Sequence, residues 1–177
     1  MAQWDEMRAM YHPDATVAVS WFKGTGEEFI NGSIASHKRG LRAVHLLGPP
    51  MVRVKANRAT ADVGALIVSS SKVDGVGCFG MCFVRLVYRM TKVKGKWGIS
   101  QANCIYQMDE VMPENPADKL VIDNDELAKY PPSYAHLSYL LKRATGAPAH
   151  QDLLGSDQPE IIAQFYADNN AWLNGAK

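Results

Sequence analysis

The sequence predicts an α+β fold: a curved antiparallel sheet, two helices ahead of it and a helical tail after it. Three observations predict this. Before Gly40, apolar residues recur twice at helical spacing. From Leu41 to Met108 the pattern becomes strand-like, in apolar runs separated by short turns. After Met108 the chain becomes rich in Pro, Asp and Asn and then returns to helical spacing. Helices first and a meander after is the segregated layout of α+β proteins.

Each element has its own signature. In residues 3–11, Trp4, Met7, Met10 and Tyr11 fall on one face of a short helix, and Pro13 restricts His12 so that a turn follows. Thr16–Phe22 reads as a strand, with Val17, Val19 and Trp21 on one face. A turn at Lys23–Gly26 leads to a second helix, Glu27–His37, which Gly40 stops. Arg42–Leu47 is a strand that ends at Gly48-Pro49-Pro50, followed by Val52–Lys55, Ala59–Ser70, Cys78–Thr91 and Trp97–Met108. Short turns between these runs predict antiparallel hairpins. In the tail, Ser133–Thr145 carries Leu137, Leu140 and Leu141 on one side of a helix. A last helix runs from Pro159 to about Leu173. The expected division is a domain over residues 1–108 and a helical extension over 109–177, which packs on or over the same domain or a neighbouring subunit.

Bulk properties exclude several function classes. At 177 residues the chain can bury a core without staples. A hydrophobic content of 47% and a formal net charge of +1 exclude a disordered chain and a polyanion binder, so no nucleic acid is expected. Cys78, Cys82 and Cys104 are odd in number and not closely paired, which argues for a reducing compartment. No signal peptide and no apolar run of membrane-spanning length is present, so the expectation is a cytoplasmic protein without a membrane partner. The five histidines show no metal-binding spacing, and no glycine-rich loop opens a helix after a strand. No metal and no cofactor is therefore expected.

Tyr11-His12-Pro13-Asp14-Ala15, the run Ser20-Trp21-Phe22-Lys23-Gly24, the following helix, His45 on the next strand and the closing Lys94-Gly95-Lys96-Trp97-Gly98-Ile99 together resemble the SnoaL-like families of the nuclear transport factor 2-like superfamily. The resemblance covers roughly residues 3–107. It implies a cone-shaped α+β barrel with an apolar pocket between sheet and helices. Relatives include scytalone dehydratase, hexachlorocyclohexane dehydrochlorinase, bile acid dehydratase and ketosteroid isomerase. Several use a histidine base held by an aspartate, and His45 matches that histidine. The aspartate's place falls just before Met1, and the arginine of some relatives falls at Ala102, so only the histidine carries over.

His45 stands within Ala43-Val44-His45-Leu46-Leu47, an apolar run. A histidine there is either a proton acceptor kept neutral by an apolar pocket or a core residue bonded to a backbone carbonyl. Asp14 is the nearest early carboxylate, as a second catalytic candidate or as a turn-capping residue. Tyr11 is a phenol donor or a ring tucked under the sheet. Trp21 and Val19 are expected to wall a pocket or simply to pack, as is Val84. On the last strand Cys104 and Tyr106 share a face with Ala102, Tyr106 as a second hydroxyl and Cys104 as an inert thiol.

The expected function is a cofactor-independent lyase of the dehydratase type. It would take a proton from a small hydrophobic, aromatic or polycyclic substrate with His45 as base. The alternatives are an isomerase or cyclase with a carboxylate base, and a non-catalytic module that binds a small ligand. Phe79, Met81, Phe83 and Val87 fall on the outer side of the longest strand. That side is expected to join a homodimer or homotrimer, or else to be covered by the C-terminal helices.

Overall fold

The computed structural model describes residues 3–176. Helix α1 (Trp4–Met10) is short, carries Asp5 and Glu6 in its first turn and buries none of its residues. Strand β1 (Tyr11–Val19) follows with no intervening turn. Pro13 fits inside it because the pairing of β1 with the last long strand skips from Tyr11 to Thr16, so the missing N–H leaves no ladder bond broken.

The strand expected over Thr16–Phe22 breaks at Ser20-Trp21. There the chain reverses, and β2 (Phe22–Thr25) pairs antiparallel with β1. The bend is held from far away in sequence. The Ser20 N–H donates to the Tyr106 hydroxyl at 2.7 Å, and the Ser20 carbonyl accepts from the His150 N–H at 2.9 Å. Thr25 and Glu28 form a reciprocal capping box that starts helix α2 (Gly26–Lys38). Gly40, at φ +85°, ends the turn after it in a conformation that suits glycine.

Strands β3 (Ala43–Leu47), β4 (Met51–Lys55), β5 (Arg58–Val73), β6 (Val76–Val93) and β7 (Lys96–Pro113) make the rest of the sheet. Its order is β2-β1-β7-β6-β5-β3, with β4 also on β5, so the sheet curves but does not close. The meander is antiparallel as expected, but β1 lies parallel to β7. No hairpin joins those two strands. Their register is set instead by burial of Ala15 and Val17 on one side of β1.

The tail clasps this sheet from both sides. On the concave face Ala65, Cys82, Val84, Cys104 and Tyr106 share one apolar cluster with Tyr134, Ala149 and Leu153. A second cluster joins Val73 and Cys78 to Tyr139 and Leu140 of helix α4 (Ala135–Thr145). Leu140 sits so close over Gly80 that a Cβ there would meet it at 2.5 Å. A one-turn helix, α3 (Asn124–Leu127), precedes α4, and the two-residue strand β8 (Leu154–Gly155) adds to β7 beyond the end of β1. Helix α5 (Pro159–Leu173) takes the convex face. Its Tyr166 hydroxyl donates to Asp62 at 2.8 Å, and Arg58 and Arg89 lie over the Trp172 ring, 5.1 and 5.2 Å from its centre. The division expected at Met108 falls inside β7, which runs on to Pro113.

Both apolar clusters are thus built in part from residues beyond Pro113. A chain ending at Pro113 is expected to lack a cooperative thermal transition by circular dichroism; a sharp transition in that fragment would contradict the shared core. Replacing Tyr106 by Phe strands the buried Ser20 N–H, and urea unfolding should show a loss of about 1–3 kcal/mol.

Candidate functional site

Sheet register places His45 directly across from Ile67, Ile67 across from Cys82, and Cys82 across from Asp109. Cys82 belongs to the concave-face cluster and Ile67 packs against it, so this row of four faces the concave side. Below the row the same face continues through Leu47, Val63, Leu86 and Tyr88, of which the last three are half-buried. The result is an apolar trough. Its floor is β5 and β6, its far end is α4 with Leu137 and Leu141, and its near side is the open edge formed by β3 and β4.

His45 is on that edge strand and is exposed. Partial desolvation nevertheless lowers its pKa. Contact with solvent keeps that effect modest, and the direction favours the neutral imidazole, the form that accepts a proton. Tyr11 is half-buried, and its hydroxyl is pushed up to about 12, first by burial and then by the neighbouring Tyr88. It is therefore a protonated donor near the floor of the trough. Two shallow, open clefts lie near the N-terminal helices. One of about 210 Å³ is lined by Tyr11, His12 and Trp97, and one of about 450 Å³ by Trp4, Arg8 and Ile34.

The other candidates divide. Val84, Cys104 and Tyr106 meet in one buried cluster against which Val19 packs. Tyr106 is 1% exposed, packs against Tyr134 in a tilted arrangement with ring centres 4.9 Å apart, and its hydroxyl accepts from the Ser20 N–H. Burial raises the Cys104 thiol to about 12, which makes it unreactive at neutral pH. Trp21 does not share the face of Val17 and Val19. It stands in the β1–β2 turn, 40% exposed and stacked on Phe29 at 5.3 Å. Asp14 is exposed, on the side of β1 opposite Ala15 and Val17, and does not approach His45.

A second histidine, paired with a carboxylate, lies at the other end of the row. The His136 Nδ1–H donates to Asp109 Oδ1 at 2.9 Å, and the Leu137 N–H donates to Oδ2 at 2.7 Å. The Asp109 side chain is 2% exposed and that of His136 30%. With Nδ1 engaged, Nε2 is the free basic nitrogen. Simple alternation from Tyr106 would turn Asp109 outward. An extra residue, Gln107, inserts a bulge between the pairs Phe83–Met108 and Val84–Tyr106, and this turns Asp109 back to the concave face. No sequence motif announces that bulge, so the pair was not legible before the fold.

The two histidines load stability in opposite directions. The bond to Asp109 raises the His136 pKa. Its contribution should be complete below the unfolded value of about 6.5 and disappear as pH rises through the folded value. His45, lowered, should favour the fold above about 6.5 and lose that contribution as pH falls toward its folded value. Chemical denaturation across this range should show the His136 contribution abolished in Asp109→Asn and the His45 contribution abolished in His45→Gln.

With this geometry in place, comparison with known proteins is informative. Residues 1–103 match the SnoaL-like domain family. Pea pathogenicity protein 2 of Fusarium vanettenii is 27% identical over 98% of this chain and 78% of its own length. An uncharacterised protein of Emericella nidulans is 29% identical over 98% and 79%. A solved structure, a type 2 hexachlorocyclohexane dehydrochlorinase, superposes with a TM-score of 0.52 at 13% identity, covering 67% of this chain and 80% of that one. The match covers more than half of the chain: it belongs to the SnoaL-like domain family.

Proposed function

We propose that the protein is a cofactor-independent lyase acting on a small hydrophobic, aromatic or polycyclic substrate. The substrate would lie in the trough of Val63, Leu86 and Tyr88, beside His45. His45 Nε2 or Nδ1 takes a proton from a carbon of the substrate, and the electron pair left behind forms the new double bond. The leaving group departs from the adjacent carbon. In a dehydration it takes up a proton from solvent at the open edge of the sheet and leaves as water. The observation that carries this reading is the position of His45, an imidazole biased toward its neutral form on the apolar side of the sheet. The likeness in fold to a hexachlorocyclohexane dehydrochlorinase, an enzyme named for an elimination, supports the reaction class.

One observation favours a second reading of the same chemistry. His136 has the buried carboxylate partner that His45 lacks. A carboxylate on the far nitrogen fixes the tautomer and stabilises the imidazolium that proton abstraction creates.

A panel of hydroxylated aromatic and polycyclic compounds, followed by loss of water in mass spectrometry, separates these readings. Replacing His45 by Ala should lower turnover by about 10²–10⁴-fold, the usual worth of a general base, and replacing His136 by Ala should change it little. The reverse pattern would move the base to the His136–Asp109 pair. Equal turnover in all three proteins would reject histidine-based elimination.

A further inference from the structure

A net charge of +1 conceals an uneven distribution. Residues 29–61 contain no Asp or Glu, and neither do residues 75–108. The fold brings these two acid-free stretches together. The β4–β5 turn and the β6–β7 turn project from the same end of the sheet. Arg58 stands opposite Thr91, and the Lys92 N–H donates to the Asn57 carbonyl at 2.8 Å. Lys55 on β4, Arg58 on β5, Lys92 on β6, Lys94 in the last turn and Lys96 on β7 thus gather at the tips of four neighbouring strands, about 15 Å across. Arg53 and Arg89 stand behind them, in one row with Thr60. None of these seven cations has an ion-pair partner among the described residues. Arg53, Lys55, Arg58 and Arg89 donate to neutral amide and carbonyl oxygens of α5 and the residues after it, and Asp168 offsets Arg89 in part. Lys92, Lys94 and Lys96 are exposed.

We propose that this end of the molecule binds an anionic membrane surface. Charge selects an anionic partner, and the side chains between the cations select a bilayer. Val93 is 53% exposed between Lys92 and Lys94, and Val54 is 62% exposed beside Lys55. Aliphatic groups gain by entering the boundary between headgroups and acyl chains, and gain nothing on a phosphate backbone. The lysine stems add to that apolar contact while their ammonium groups stay among the headgroups. A single-stranded nucleic acid would instead need ring faces on which bases stack. Trp97 and Trp172 are half-buried here and engaged by the protein's own cations, Lys92 over the first ring and Arg58 and Arg89 over the second. Each Lys or Arg close to an anionic bilayer strengthens partition by about five-fold, so the five cations at the tips are worth on the order of 10³-fold together. The contact is electrostatic and peripheral, and salt weakens it. This surface shares no side chain with the His45 trough, so membrane binding and elimination chemistry can be tested apart.

Co-sedimentation of the full chain with lipid vesicles tests this. One set of vesicles is phosphatidylcholine with about one-third phosphatidylserine, and the other is phosphatidylcholine alone. The wild type should bind the first set, come off it as salt is raised, and stay in solution with the second. A triple variant, Lys92→Gln with Lys94→Gln and Lys96→Gln, should bind about 100-fold more weakly. A second triple variant, Lys72→Gln with Lys119→Gln and Lys129→Gln, loses the same charge elsewhere and should stay within about three-fold of the wild type. All six lysines are exposed, so both variants should keep the wild-type far-ultraviolet spectrum. No binding to the anionic vesicles at low salt, equal binding to both lipid compositions, or an equal loss in the two variants would overturn the proposal. So would tighter binding of the wild type to single-stranded DNA than to the anionic vesicles.

Discussion

The constraint behind the rest of the structure is that the central long strand β6 carries apolar residues on both faces, Cys82, Val84 and Leu86 on one and Phe79, Met81, Phe83 and Val87 on the other. A sheet of this kind cannot face water on either side, so something must cover each. The chain uses its tail for both covers. The segment holding Tyr134, Ala149 and Leu153 fills the concave centre, and α5 lies across part of the convex side. The helices α1 and α2 pack on the β1–β2 edge and leave the concave centre to the tail. The position of the trough follows from this arrangement: it is the concave strip between the tail and the open β3–β4 edge.

The same constraint shapes the chemistry. Tyr106 and Cys104 look like site residues in the sequence because they face the concave side. They do face it, but beneath the tail, where Tyr106 ties the β1–β2 turn in place and Cys104 is a buried thiol. Residues at the margin of the tail are the ones left accessible. These are His45 on the edge strand and His136 at the start of α4, one at each end of a single cross-strand row. The family's fold thus survives with its concave face divided between core and candidate site.

Much of the architecture was legible in the sequence. Apolar strand-like runs separated by short turns, from Leu41 to Met108, identified the meander. The turn at Lys23–Gly26 and the stop at Gly40 bracket α2, as read from the sequence. Asp62 has the parity opposite to Ala61 and Val63, and it faces the convex side where Tyr166 meets it. The features that escaped depend on distant partners. The reversal at Ser20-Trp21 needs Tyr106 and His150, each more than 80 residues away in sequence. The parallel pairing of β1 with β7 has no connecting hairpin to reveal it. The Asp109 orientation rests on one inserted residue, Gln107, which local periodicity reads as an ordinary strand position. Trp21 and Asp14 failed to join His45 for the same reason: their placement depends on where the chain turns, and that turn is set from outside the segment.

The most direct test of the central claim is to follow the His45 ring by nuclear magnetic resonance while pH and an aromatic ligand are varied. The account predicts a titration below the ordinary imidazole value of 6.5, and a shift of the His45 signals together with those of Val63 and Leu86 when the ligand is added. A His45 ring that titrates at or above 6.5 and ignores every ligand that moves Val63 and Leu86 would contradict it.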